Sequence, residues 1–219
     1  MNNFFPAFAD RPRPSDACLL DTSVGADGDR LRSLLATTTP ADLSADHVRA
    51  EVEGNLWMLA PETFQYFLPA FMSLAVERYD SFVNFVPELV SALTEPTRDD
   101  VLQALDRLAL IPGGIGLTPD VLFHLRQQQL EWYDSGKPLT TYRDRVVGLS
   151  AVERNAILDF LAAIRDTHGS DFPFNEPQIA IDRLRARGSR ASNNPSSPPN
   201  SNDSSAGGIA ADPGATTTA

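Results

Sequence analysis

Few residues in this chain are of types that do chemistry, and their spacing decides what they can do. The 219 residues include three histidines and one cysteine. His47 and Glu51 stand four apart, which on a helix puts both on one face. With Asp46 and Glu53 close by, an imidazole and carboxylates make a weak candidate set for a divalent metal. A solvated helix face with charge pairs explains the same spacing and is the simpler expectation. His124 lies between Phe123 and Leu125, and a surface or capping role is expected before a catalytic one. His168 precedes Gly169, where an imidazolium suits the negative end of a helix. Cys18 has no histidine near it in sequence and is followed by Leu19 and Leu20, so a buried or partly buried thiol is expected rather than a nucleophile.

No motif assembles these residues into a catalyst. No pair of histidines has the zinc-protease spacing, and there is no Gly-x-Ser-x-Gly elbow. Gly113-Gly114-Ile115-Gly116 lacks the lysine of a phosphate loop and reads as a helix end and connector. Asp99 and Asp100 suit the positive end of a helix. No catalytic residue, cofactor or metal is assigned, beyond the weak pair His47 and Glu51. Arg183, Arg185, Arg187 and Arg190 form a basic cluster that could touch a partner, or serve as cations at a helix C-terminus. The aromatic stretch from Trp57 to Tyr79 could line a ligand pocket, but at helical spacing it is expected to be core.

Composition limits the partners. Eighteen basic against 29 acidic side chains give a net charge of −11. Nucleic-acid affinity rests on Lys and Arg neutralising phosphates, so nucleic acid is an unlikely ligand. A membrane surface that attracts polybasic proteins is unlikely too. The uncharged run from Thr63 to Val76 is shorter than the ~17–25 residues a bilayer span needs. No basic region precedes the apolar N-terminal residues, as a secretory leader requires. A cytoplasmic location, with Cys18 reduced, is the expectation.

The elements that must position these residues are helices. Three parts are expected: a loosely structured N-terminal segment over 1–26, a helical domain over 27–187, and a disordered low-complexity tail over 188–219. The tail is almost wholly Ser, Ala, Gly, Pro, Asn and Thr, too little apolar surface to offset its conformational entropy. Start signals recur through the body at Asp29, Thr39-Pro40, Ser44, Pro61, Thr97, Thr118-Pro119, Ser150 and Asn175. Ser150 and Glu153 have capping-box spacing. Pro69 should kink or break the helix that Pro61 opens, and Gly188 should stop the last one. Only Thr140–Val147 alternates like a strand, and poorly. The fold class is therefore all-α, a single compact multi-helix domain of about seven to nine helices. Its expected core includes Trp57, Phe64, Phe67, Leu68, Phe71 and Met72, then Leu102 and Leu105, and finally Ile157, Phe160, Leu161 and Ile164.

The run Pro61-Glu62-Thr63-Phe64-Gln65-Tyr66-Phe67-Leu68-Pro69-Ala70-Phe71-Met72 resembles the central motif of an uncharacterised bacterial helical family of unknown function. Asp42-Leu43-Ser44, Ala92-Leu93-Thr94-Glu95-Pro96 and Leu149-Ser150-Ala151-Val152-Glu153-Arg154 match weaker parts of that pattern, so the resemblance spans roughly residues 16–166. Segment 112–146 is extended relative to it. The resemblance implies a helical fold and a bacterial origin, and brings no catalytic residue.

Function is thus expected to be a non-enzymatic, acidic, cytosolic protein-interaction module. An immunity or antitoxin-like protein that covers a basic toxin surface is one form, since acidic surfaces steer onto basic ones. The alternative is a small-ligand-binding protein or enzyme that uses an aromatic-lined helical pocket with His47 or His124.

Overall fold

The computed structural model describes residues 3–22, 24–109 and 118–192, with the side chains of 27, 108–109 and 189–192 set aside. These residues form an all-α protein. Nine α-helices run in chain order among them: α1 Asp29–Thr37, α2 Ala45–His47, α3 Pro61–Glu77, α4 Phe85–Ala92, α5 Arg98–Ala109, α6 Pro119–Asp134, α7 Lys137–Val146, α8 Ala151–His168 and α9 Glu176–Ser192. Short 3-10 turns and one π-helical turn, Val48–Val52, connect them. The β-type pairing among the described residues is a single antiparallel bridge, Leu20 to Leu59.

Helix α3 is the axis. It touches α4, α7, α8, the turn Phe5–Phe8 and the turn Pro40–Asp42. Phe64, Phe67, Leu68, Phe71, Met72 and Ala75 form one buried stripe, and Thr63, Gln65, Pro69, Ala70 and Ser73 on the remaining faces are buried as well. A helix that is apolar all round must be covered all round. Its rings pack mostly edge-on or tilted, with Phe71 at 5.7 Å from Phe85 and Phe67 stacked at 6.2 Å from Phe71. Helix α3 continues through Pro69, where a kink or break was expected. Proline in a helix interior costs about 3 kcal/mol; here the burial of neighbouring aromatic surface on both sides offsets it.

Several core expectations need correction. Phe64, Phe67, Leu68, Phe71, Met72, Leu105, Ile157, Phe160, Leu161 and Ile164 are buried. Trp57 is not: it sits in the turn Leu56–Met58 and is 58% exposed, while its neighbours Leu56 and Met58 point inward. Three successive residues of a tight turn cannot all face one side, and the bulkiest faces out. Leu102 is only half-buried. Cys18, expected to be at least partly buried, is exposed at the end of the turn Asp16–Cys18. Thr140–Val147 lies mostly in α7, opened by Gly136 with φ 76° and Pro138 in its first turn. Helix α9 runs past Gly188 to Ser192. The remainder of the predicted tail, and the Gly113–Gly116 connector, lie outside the described residues.

The N-terminal segment, expected to be loose, is tied in twice. Phe4, Phe8, Leu19 and Leu20 enter the core, and Phe4 meets Phe160 edge-on at 6.2 Å. Arg11 then clasps three elements together. Its Nε and Nη2 donate to the two carboxylate oxygens of Glu153 at 2.5 and 3.0 Å, its Nη1 to Gln65 Oε1 at 2.6 Å, and Nη2 also to the Gly148 carbonyl at 2.8 Å. Gln65 passes the link on, its amide nitrogen donating to the carbonyls of Arg145 and Val147 at 2.9 and 3.0 Å. Glu153 also completes the capping box of α8 with Ser150. Burial pushes the Glu153 carboxyl up, but the Arg11 and Ser150 hydrogen bonds outweigh it and hold the group below the usual range.

Candidate functional site

The structure separates the chemically suggestive residues rather than gathering them. His47 is exposed and spent on a cap: Ser44 Oγ accepts the His47 amide, and His47 Nδ1 accepts the Ser44 amide at 3.4 Å. This is a capping box with imidazole in the place usually held by Glu or Gln. Glu51 lies on the following π turn, and a shallow groove beside α1 holds both residues. Among the described residues no three His, Cys, Asp or Glu side chains converge as metal ligands. His124 is exposed on α6, its ring 5.7 Å from that of Phe123. His168 lies flat on Tyr79, ring centroids 3.5 Å apart. Burial, with the hydrogen bond and charge of Asp171, pushes the Tyr79 phenol up to about 12.

The carboxylates with the most backbone contacts are structural. Glu53 Oε1 accepts from the amides of Val83, Asn84 and Phe85, which caps α4 from outside that helix. Glu88 of α4 answers by accepting from the amides of Gly54 and Leu56 at 2.8 and 3.2 Å. Burial pushes the Glu88 carboxyl up, against the pull of those amides and of Arg145. Arg145 is buried, donates to the Leu56 carbonyl at 2.7 Å and lies 4.7 Å over the Phe64 ring.

The arginine cluster is divided in the same way. Arg183 makes a fork to both Asp100 oxygens at 2.6 and 2.9 Å and a third bond to the Glu95 carbonyl. It fastens α9 to the start of α5 and is not available to a partner. Burial raises the Asp100 carboxyl, but hydrogen bonds from Arg183 and Thr97 outweigh that and leave it below the usual range. Arg187 stands 5.5 Å over the Tyr142 ring. Arg185 is exposed; the Arg190 side chain lies outside what is described.

Comparison with family models, with curated proteins and with solved structures gives no match. The site must therefore be argued from geometry.

Two surfaces stand out. The first is the outer face of α6. Thr118 caps this helix by accepting the Val121 amide, and Pro119 fills its first turn. It packs on α5 and α7. Arg126 pairs with Asp106 at 3.0 Å and Arg98 with Asp134 at 3.2 Å, which fixes it against α5. Yet α6 has no buried residue, and it presents Val121, Phe123 at 63% exposure and Trp132 at 52%. Val121, Leu125, Gln128 and Trp132 follow 4-3-4 spacing and share one face. The second surface is a cleft of about 350 Å³ between α4, α5, α9 and the loop 172–175. Sequence reasoning missed it. The signal was present in Phe172-Pro173-Phe174, two aromatics around a proline where a loop is required.

Proposed function

We propose that this protein is a non-enzymatic binding module that docks a partner protein on the outer face of α6. The observation that carries the reading is a 16-residue helix with no fully buried residue that exposes Val121 and Trp132 on one face. An exposed aromatic beside an exposed aliphatic on one helix face marks an interaction site, and Trp is among the residues that contribute most to binding when a partner covers it. Charge defines the partner. Asp120 and Glu131 lie along one side of the stripe, and the chain as a whole carries −11. An apolar ridge or helix with basic residues along one side complements this face. This reading agrees with an acidic cytosolic module of the immunity or antitoxin kind; the α6 face itself lies in the segment 112–146 that sets this chain apart from the bacterial helical family that the Pro61–Met72 motif resembles. No helix among the described residues is long and apolar enough to cross a membrane.

The test compares the wild type with a Val121→Ser/Trp132→Ser variant. A protein captured from the native host is purified and titrated against both. The proposal expects salt-sensitive binding that weakens at least ten-fold in the variant, with the same unfolding midpoint. Equal binding, no differential capture, or self-association of the chain through this face overturns it. The pocket alternative built on His47 or His124 has less support, because neither residue lines the 350 Å³ cleft.

A further inference from the structure

We infer that the cleft between α4, α5 and α9 is a second, separate site, which binds a small monocarboxylate with an apolar or aromatic body. Its volume of about 350 Å³ falls within the ~300–1,000 Å³ of small-molecule pockets. At ~30 Å³ per liquid water it holds about a dozen water volumes, room for a ligand of roughly that many non-hydrogen atoms.

Part of the wall is apolar, built by Pro87, Pro96, Phe172, Phe174 and Ile179. Prolines and rings are stiff, so little ordering entropy is lost when a ligand covers them. The cleft also holds two arginines in different states. Arg183 is saturated by its fork to Asp100 and its bond to the Glu95 carbonyl. Arg107 is not. Its guanidinium carbon lies 3.1 Å from the centroid of the Phe174 ring, and its hydrogen bond goes to the neutral Gln103 at 3.2 Å. No carboxylate among the described residues pairs with it. A guanidinium seated over a ring is held in place, and its remaining N–H groups form a fork that fits a carboxylate edge. Phe174 is itself positioned, since its amide donates to Glu176 at 3.2 Å.

The same inventory selects the charge of the ligand. Asp100 is neutralised by Arg183, but Glu176 adds a negative charge to the lining against the single unpaired positive of Arg107. A dianionic phosphate would meet that carboxylate with one cation to hold it. A singly charged carboxylate is matched by one arginine, with its apolar body on Phe172 and Ile179. Neither Val121 nor Trp132 lines the cleft, so this site goes beyond the α6 reading and stands or falls apart from it.

The experiment titrates the full chain with 3-phenylpropionate, with 3-phenylpropionamide and with acetate, by calorimetry and by NMR. The acid should bind saturably in the millimolar range or tighter. The amide should bind at least ten-fold more weakly, because it lacks the charge, and acetate at least ten-fold more weakly, because it lacks the apolar body. Arg107→Gln should weaken the acid at least ten-fold while leaving the amide unchanged. Ser91→Trp, which adds bulk from an exposed position in the cleft lining, should abolish binding. Val121→Ser/Trp132→Ser should leave it unchanged. Equal binding of acid and amide, full binding by Arg107→Gln or Ser91→Trp, or no saturable binding of the acid overturns the inference.

Discussion

Helices α3 and α6 are nearly equal in length, 17 and 16 residues, and each opens on a proline followed by an acidic residue. Both carry aromatic and aliphatic side chains at helical spacing. Their surroundings are opposite. Helix α3 is covered on every side by the N-terminal turn, α4, α7 and α8, whereas α6, which packs on α5 and α7, has no fully buried residue among the described residues. The difference follows from what interrupts the apolar residues. In α3 the interruptions are small or neutral, such as Thr63, Gln65, Ala70 and Ser73, and each of these is itself buried. In α6 the interruptions are Asp120, Arg126, Gln127, Gln128 and Glu131, whose solvation keeps the helix at the surface. Stability therefore resides around α3, and the proposed docking face lies on α6.

The contrast can be broken most directly by truncating one large apolar side chain on each helix. Phe71→Ala removes a fully buried ring and should cost about 3–5 kcal/mol in urea unfolding. Trp132→Ala removes a larger side chain that is half exposed and should stay within about 0.5 kcal/mol of wild type. Similar losses from the two would erase the distinction.

The latch that holds the N-terminus against the α3 body comes next. Glu153→Gln removes the charge that Arg11 grips, and it should cost about 2 kcal/mol, in line with hydrogen bonds to charged groups. Hydrogen exchange should then rise over residues 3–20 while α6 is unaffected.

Acid should act on the same contacts. Glu153 and Asp100 lie below the usual carboxylate range when folded, so the unfolded chain takes up their protons first as the pH falls. Their contribution is complete at neutral pH and is lost as the pH drops through about 4 and below. Glu88 has the opposite sign: burial raises it, so its contribution is present at low pH and fades as the pH rises through its folded value. The unfolding midpoint of the wild type should thus fall on acidification. The fall should be shallower in Glu153→Gln and steeper in Glu88→Gln.

A loss smaller than those of Phe71→Ala and Glu153→Gln is expected where α6 hands over to α7. Gly136 sits at φ 76° with open space where a Cβ would be. Gly136→Ala should cost about 1 kcal/mol, the penalty of a left-handed backbone for an L side chain, with nothing added by a clash.

Much of the fold was legible because its signals are local. Ser150 and Glu153, Thr97 and Asp100, and Thr118 with Pro119 mark helix starts by their own chemistry, and the structure uses each of them. Residues that depend on distant neighbours were not legible. Nothing near Arg11 in sequence announces Glu153 and Gln65, and nothing near Arg183 announces Asp100. Trp57 was expected in the core from its apolar neighbours, yet a tight turn divides such a run between inside and outside. The α6 face was hidden for the converse reason. Its apolar spacing resembles that of a buried helix, and only the absence of covering side chains sets it apart.

The central claim is tested most directly by titrating the partner captured from the native host against the wild type and against Val121→Ser/Trp132→Ser, with urea unfolding of both chains measured alongside. The account predicts at least a ten-fold loss of affinity with an unchanged unfolding midpoint. Unchanged affinity, or a loss that only follows a loss of stability, would contradict it.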